Sequence, residues 1–124
     1  MAFRVLVIED NVDGADTLGL VLQQYGFEVR VAYNGPDGVE AAQADPPDAV
    51  LCDIAMPGMD GFAVAERLGK VLPRRPLLVA VTACQEQTLL GPAARAGFDH
   101  YFLKPADPAE VGGLLASYAD QPAG

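Results

Sequence analysis

Short apolar runs alternate along the chain with longer segments whose apolar residues recur at helical spacing, five of each. The runs are Phe3–Ile8, Glu28–Ala32, Ala49–Cys52, Leu77–Val81 and Tyr101–Leu103. Most are β-branched or leucine-rich at successive positions, so both faces of each strand are apolar. A parallel strand covered by helices on both sides requires that pattern.

The intervening segments carry helix punctuation. A helix over Val12–Tyr25 stops at Gly26, and Asn34-Gly35-Pro36 opens a second that runs to Ala44. Asp60 caps a third helix through Lys70. Asp107-Pro108-Ala109-Glu110 places an N-cap acid, a proline at N1 and a glutamate at N3 ahead of Val111–Ala119. The fourth segment, Gln85–Ala96, holds a conflict, because Gly91-Pro92 stands in its middle. Interior glycine costs about 1 kcal/mol and interior proline about 3 kcal/mol relative to alanine. Either the helix kinks, or a loose stretch through Leu90 precedes a short helix with Pro92 as its first residue; the second is expected.

Strands alternating with helices at this spacing imply an α/β doubly wound open parallel sheet with right-handed crossovers. Ligands of such sheets sit outside the carboxyl ends of the strands, near the point where strand order reverses. Those ends are Glu9-Asp10, Asp53, Thr82 and Lys104-Pro105.

Composition narrows the function classes. The chain has 124 residues, 51% hydrophobic and 20% charged, which is ordinary for one globular domain with a sizeable core. Seventeen acids against eight Lys and Arg give a net charge of −9, which disfavours binding to a nucleic-acid backbone. Cys52 and Cys84 match neither a metal spacing nor a disulfide framework, and no basic-then-apolar leader precedes Phe3, so a cytoplasmic protein is expected. No apolar run approaches the roughly 20 residues that span a bilayer.

Glu9, Asp10 and Asp53 converge at the crevice between the first and third strands, where like charges repel unless a cation intervenes. Hard oxygen ligands suit Mg²⁺. A lone acidic pair there would read as a solvated sheet edge; the third acid shifts the balance toward a metal site. Thr82 and Lys104 add a hydroxyl and an ammonium at the same pole, the equipment for holding phosphoryl oxygens. Asp53 is then a candidate nucleophile, since a carboxylate forms an acyl phosphate. The Lys104–Pro105 bond is expected to be cis, a form that proline tolerates and that would aim the lysine back at the site.

The constellation resembles the receiver domain of two-component response regulators. It is carried by Glu9-Asp10, by Leu51-Cys52-Asp53-Ile54-Ala55-Met56-Pro57-Gly58-Met59-Asp60-Gly61, by Thr82-Ala83 and by Lys104-Pro105. The resemblance implies a single receiver domain over 1–124, with a core from about 3 to 119 and a tail of 120–124. It implies a flavodoxin-like fold of five parallel strands in the order 2-1-3-4-5. By it Asp53 accepts a phosphoryl group from a sensor histidine kinase or phosphotransfer protein. Asp10, Asp53 and the backbone carbonyl of Ala55 hold Mg²⁺, with Mn²⁺ as a substitute, and Glu9 acts largely through metal-bound water. Thr82 and Lys104 bind phosphoryl oxygens, and Tyr101 matches the family's switch aromatic. Ala55 and Cys84 occupy positions that tune dephosphorylation. The chain would assist its own phosphorylation and slow dephosphorylation without being an enzyme. Its response passes through the surface of helix 4, strand 5 and helix 5 to a protein target, either as a free-standing receiver or as one cut from a hybrid kinase.

Three rivals fare worse. A flavodoxin-type electron carrier needs a Ser-, Thr- and Gly-rich phosphate loop after the first strand, where this chain has Glu9-Asp10-Asn11-Val12-Asp13. A haloacid dehalogenase-type phosphatase needs an acid two residues beyond its nucleophile, where this chain has Ala55. A degenerate receiver would lack part of a set that is complete here. The remaining candidates read as ordinary structure: His100 as an edge or surface histidine, Cys52 as core, Cys84 as loop filling, and Lys70, Arg74 and Arg75 as a solvated loop at the far pole.

Overall fold

A computed structural model describes residues 3–83 and 90–119 of the chain. Its elements alternate strictly: β1 (Arg4–Ile8), α1 (Val12–Gln24), β2 (Glu28–Ala32), α2 (Gly35–Ala44), β3 (Ala49–Cys52), α3 (Gly61–Val71), β4 (Leu77–Thr82), α4 (Leu90–Ala96), β5 (His100–Leu103) and α5 (Pro108–Ala119). The strands form one parallel sheet in the order β2-β1-β3-β4-β5, the doubly wound flavodoxin-like topology expected from the alternation and the resemblance.

Both sheet faces are apolar because the strands are apolar at odd and even positions. Leu6, Ile8, Val50, Cys52, Leu78 and Ala80 face one layer, where Val39 and Ala42 of α2 and Val64, Ala65 and Leu68 of α3 cover them. Val5, Val7, Ala49, Leu51, Val79 and Val81 face the other, under Ala15 and Leu22 of α1 and Val111 and Leu115 of α5. Each fully buried Val, Leu or Ile contributes about 1.5–3 kcal/mol relative to exposure, so the central strands anchor the domain.

The helices begin where short-range capping lets them. Asn34 Oδ1 accepts from the Asp37 amide at 2.8 Å, Asp60 Oδ1 from Ala63 at 2.9 Å and Asp107 Oδ1 from Ala109 at 2.9 Å. Asn11 caps α1 in the same way, accepting from Gly14 at 2.9 Å. Gly26 ends α1 at φ +92, a conformation that glycine adopts without steric cost.

Two expectations are adjusted. Leu90 and Gly91 are already helical, so Pro92 is not the first residue of α4. The stretch Gln85–Leu89 and Cys84 lie outside the described residues. At the far pole the arginines are tied down rather than merely solvated. Arg75 donates to the Gly97 carbonyl oxygen and pairs with Asp99 at 3.1 Å, and Arg74 pairs with Asp48 at 3.3 Å. These exposed pairs each contribute at most about 1 kcal/mol. His100 is half-buried, with Nε2 3.0 Å from the Tyr118 hydroxyl. Among the described residues, no helix is long and apolar enough to cross a membrane.

Candidate functional site

The sheet ladder continues one residue past the ends of the strands and sets the site. The Glu9 amide donates to the Ala32 carbonyl at 3.0 Å, and the Asp53 amide to that of Ile8 at 2.9 Å. These bonds bring Glu9 and Asp53 to adjacent strand ends at the reversal point. On the other side, the Lys104 amide donates to the Thr82 carbonyl at 2.8 Å, fixing the end of β5 against that of β4. The Lys104–Pro105 peptide bond is cis.

The side chains meet over this edge. Lys104 Nζ lies 3.2 Å from Asp53 Oδ2 and also donates to Glu9 Oε1. Asp53 is buried, and its other oxygen, Oδ1, accepts from the Ala55 amide at 3.2 Å. Carboxylate oxygens of Glu9, Asp10 and Asp53 all lie within 4.8 Å of one another, with Asp10 exposed and the other two buried. Thr82 is fully buried at the end of β4. Tyr101, half-buried, pairs in register with Ala80 and packs on the layer that contains Ile8, Cys52 and Ile54. Alternation along the strands puts Thr82 and Tyr101 on that same face.

The electrostatics follow from burial. Glu9 is pushed up to about 7, first by burial and then by the neighbouring Asp53 carboxyl group, against the opposing bond from Lys104. Burial pulls the Lys104 ammonium down, but its bond to Glu9 and the charge of Asp53 outweigh this and leave it raised. The Cys52 thiol is pushed far up by burial and the neighbouring acids, so it remains a neutral core group. Glu9 Oε2 is buried and finds no hydrogen-bond partner among the described residues. An orphaned buried carboxylate oxygen is costly, and a set of three carboxylates without nitrogen or sulfur suits a hard divalent ion. The residues present therefore fit Mg²⁺.

A family model for the response regulator receiver domain matches residues 5–115. The chain belongs to that family. Among its relatives, the receiver is 35% identical over 106 residues to Protein PilH of Pseudomonas aeruginosa, covering 84% of this chain and 87% of PilH. A CheY-like receiver domain from Methanospirillum hungatei superposes with a TM-score of 0.89 at 24% identity, covering 97% of this chain and 95% of the other. The receiver domain of the sensor histidine kinase PA1611 from Pseudomonas aeruginosa, solved with a magnesium ion coordinated in its active-site cleft, superposes with a TM-score of 0.86 at 25% identity. That match covers 98% of this receiver and all 100% of the other chain.

Three features of the receiver's site were not legible in the residue pattern. The ion pair of Lys104 with Glu9 joins residues 95 apart in sequence. Gly61, quoted above as part of the loop motif, presses against the Asp53 backbone. Asn11, Asp13 and Thr17 of the α1 region line a cleft that continues beneath the acids.

Proposed function

We propose that the chain is a phosphorylation-dependent signalling receiver in which Asp53 accepts a phosphoryl group from a sensor histidine kinase or a phosphotransfer protein. The observation that carries this reading is the clustering of Asp53 with Glu9, Asp10 and Lys104 at the sheet's reversal point. A carboxylate oxygen of Asp53 attacks phosphorus, the bond from phosphorus to the donor imidazole nitrogen breaks, and the nitrogen leaves with the electron pair. The negative charge now resides on the phosphoryl oxygens, so Lys104 pairs with one of them in place of the Asp53 carboxylate, and Thr82 takes another. Glu9, Asp10, Asp53 and the Ala55 carbonyl would hold Mg²⁺, which when bound neutralises charge on the transferring group.

The acyl phosphate then shifts the positions of Thr82 and Tyr101, and with them the surface of α4, β5 and α5 that meets a protein target. The chain turns over no substrate of its own; it assists its phosphorylation and slow dephosphorylation, in the cytoplasm. Incubation with acetyl phosphate and Mg²⁺ tests the assignment by intact mass. Wild type gains one phosphate. Equal labelling of Asp53→Asn, or labelling unaffected by EDTA, would overturn it.

A further inference from the structure

Asn34-Gly35 opens α2, and the fold uses both residues. Asn34 is the N-cap: its Oδ1 accepts from the Asp37 amide at 2.8 Å, its Nδ2 donates to Asp37 Oδ2 at 3.0 Å, and its carbonyl accepts from the Gly38 amide at 3.0 Å. Gly35 is buried against the loop between β3 and α3. A Cβ there would stand 2.8 Å from Met59 Cβ and 2.9 Å from the Met59 carbonyl oxygen, so a side chain would displace the loop backbone.

This pair carries chemistry that phosphoryl transfer does not use. A glycine amide nitrogen, uncrowded by a side chain, attacks the carboxamide carbon of a preceding asparagine. The bond from Gly35 N to Asn34 Cγ forms and the bond from Cγ to Nδ2 breaks; Nδ2 takes the electron pair and the Gly35 amide proton and leaves as ammonia. Water then opens the cyclic imide at one carbonyl or the other, giving aspartate or isoaspartate. Asn34 is exposed, so water reaches it. The chain's other asparagine, Asn11, precedes Val12, whose branched side chain crowds the same attack. The native geometry opposes ring closure at Asn34. The imide forms only when the Gly35 nitrogen eclipses Asn34 Cβ, and at φ −157 and ψ 168 the extended Asn34 turns that nitrogen away. Rotating it into place breaks the cap.

We propose that Asn34 is a deamidation site restrained by the α2 cap, and that its isoaspartate product displaces the loop that runs from Asp53 to Gly61. Isoaspartate inserts a methylene into the backbone directly before Gly35, where the contact with Met59 leaves no slack. Aspartate at the same position keeps the cap and adds the same charge without lengthening the chain. Neither half depends on Asp53 being the phosphoacceptor, since both are read without a phosphodonor.

The test ages the protein in mildly alkaline buffer, native and in urea, and follows it by ion exchange, ammonia release and peptide mapping. Deamidation yields a more acidic form and ammonia; isomerisation at Asp13-Gly14, Asp37-Gly38 or Asp60-Gly61 yields neither. In wild type the acidic form is expected to map to Asn34 and to arise at least about fivefold more slowly in the native protein than in urea, the factor that a cap typically supplies. Asp37→Ala removes the acceptor of Nδ2 at an exposed position and should age faster than wild type in native buffer. The purified isoaspartate form should shift the amide resonances of Asp53, Met59 and Gly61 relative to Asn34→Asp. An acidic form that maps elsewhere, equal rates in native buffer and urea, or an Asp37→Ala rate no higher than wild type would overturn the restrained site. Loop resonances that coincide with those of Asn34→Asp would overturn the coupling.

Discussion

A side-chain carbon placed on Gly61 would stand 2.5 Å from the backbone carbonyl oxygen of Asp53. It would stand 2.7 Å from Ile54 Cα, and the Gly61 amide donates to the Ile54 carbonyl at 2.9 Å. The first residue of α3 is therefore pressed onto the backbone that carries the candidate phosphoacceptor, with no room for even a methyl group.

Gly61→Ala must displace that backbone, since no flexible side chain is there to yield. It is expected to destabilise by about 1–3 kcal/mol and to slow acetyl phosphate labelling of Asp53. Gly69→Ala, in the same helix with open space around it, is the control and should gain up to about 1 kcal/mol with labelling unchanged. Urea melts and labelling rates of the two variants check both statements; equal behaviour of the pair would remove the steric argument.

The raised carboxyl of Glu9 has a consequence for metal-free protein. Its folded value of about 7 lies above the ordinary 4.5, so the folded state holds this proton more tightly than the unfolded state. The contribution is complete below about pH 4.5 and is lost as pH rises through about 7. Metal-free wild type should therefore lose stability relative to Glu9→Gln between about pH 5 and about pH 8, and Mg²⁺ should flatten the difference. Denaturant titrations of both proteins, with EDTA and with Mg²⁺, read the slope. A parallel pair of profiles without metal would count against a strained Glu9.

Phosphoryl lifetime should be long. Ala55 lies two residues beyond the acceptor in the loop and is exposed, but its methyl group cannot orient an attacking water, and the Cys84 thiol orients one poorly. Installing polar groups in Ala55→Asn/Cys84→Glu is expected to speed loss of phosphate about tenfold. Single-turnover decay after removal of acetyl phosphate measures it, and an unchanged half-life would refute the idea.

Tyr101 tests the route from site to surface. It shares a sheet face with Thr82, two residues beyond its register partner Ala80. Tyr101→Ala should leave labelling of Asp53 nearly intact. Beryllofluoride, which stands in for the phosphoryl group, should still shift the amides of Asp53 and Thr82 in the variant, while the shifts along β5 and α5 seen in wild type shrink. Equal shifts along α5 in both proteins would show that the ring does not carry the coupling.

The residues that local rules govern were legible before any coordinates. Glu28–Ala32 and Ala49–Cys52 are strands over the ranges that their apolar runs mark, and Asn34, Asp60 and Asp107 cap the helices that they precede. Capping and strand alternation depend on neighbours within a few residues, so a linear pattern records them. Helix α4 was the exception, because local preference against Gly91-Pro92 in a helix led to an expected start at Pro92, whereas Leu90 and Gly91 are helical.

By itself, then, the sequence determined the alternation of strands and helices, the two-sided apolar sheet and the pole at which Glu9, Asp10, Asp53, Thr82 and Lys104 emerge. Tertiary structure alone decided that Lys104 engages both Glu9 and Asp53 across separations of 95 and 51 residues, that Glu9 keeps a buried oxygen without a partner among the described residues, and that Gly61 abuts Asp53. It also decided that α1 and α5 leave a cleft under the acids. The physical reason is range: propensity, capping and periodicity act through bonds a few residues apart, whereas these contacts depend on how far each helix stands from the sheet and on where a long side chain ends. Shifts of an ångström or two settle such distances, and only the packed core sets them.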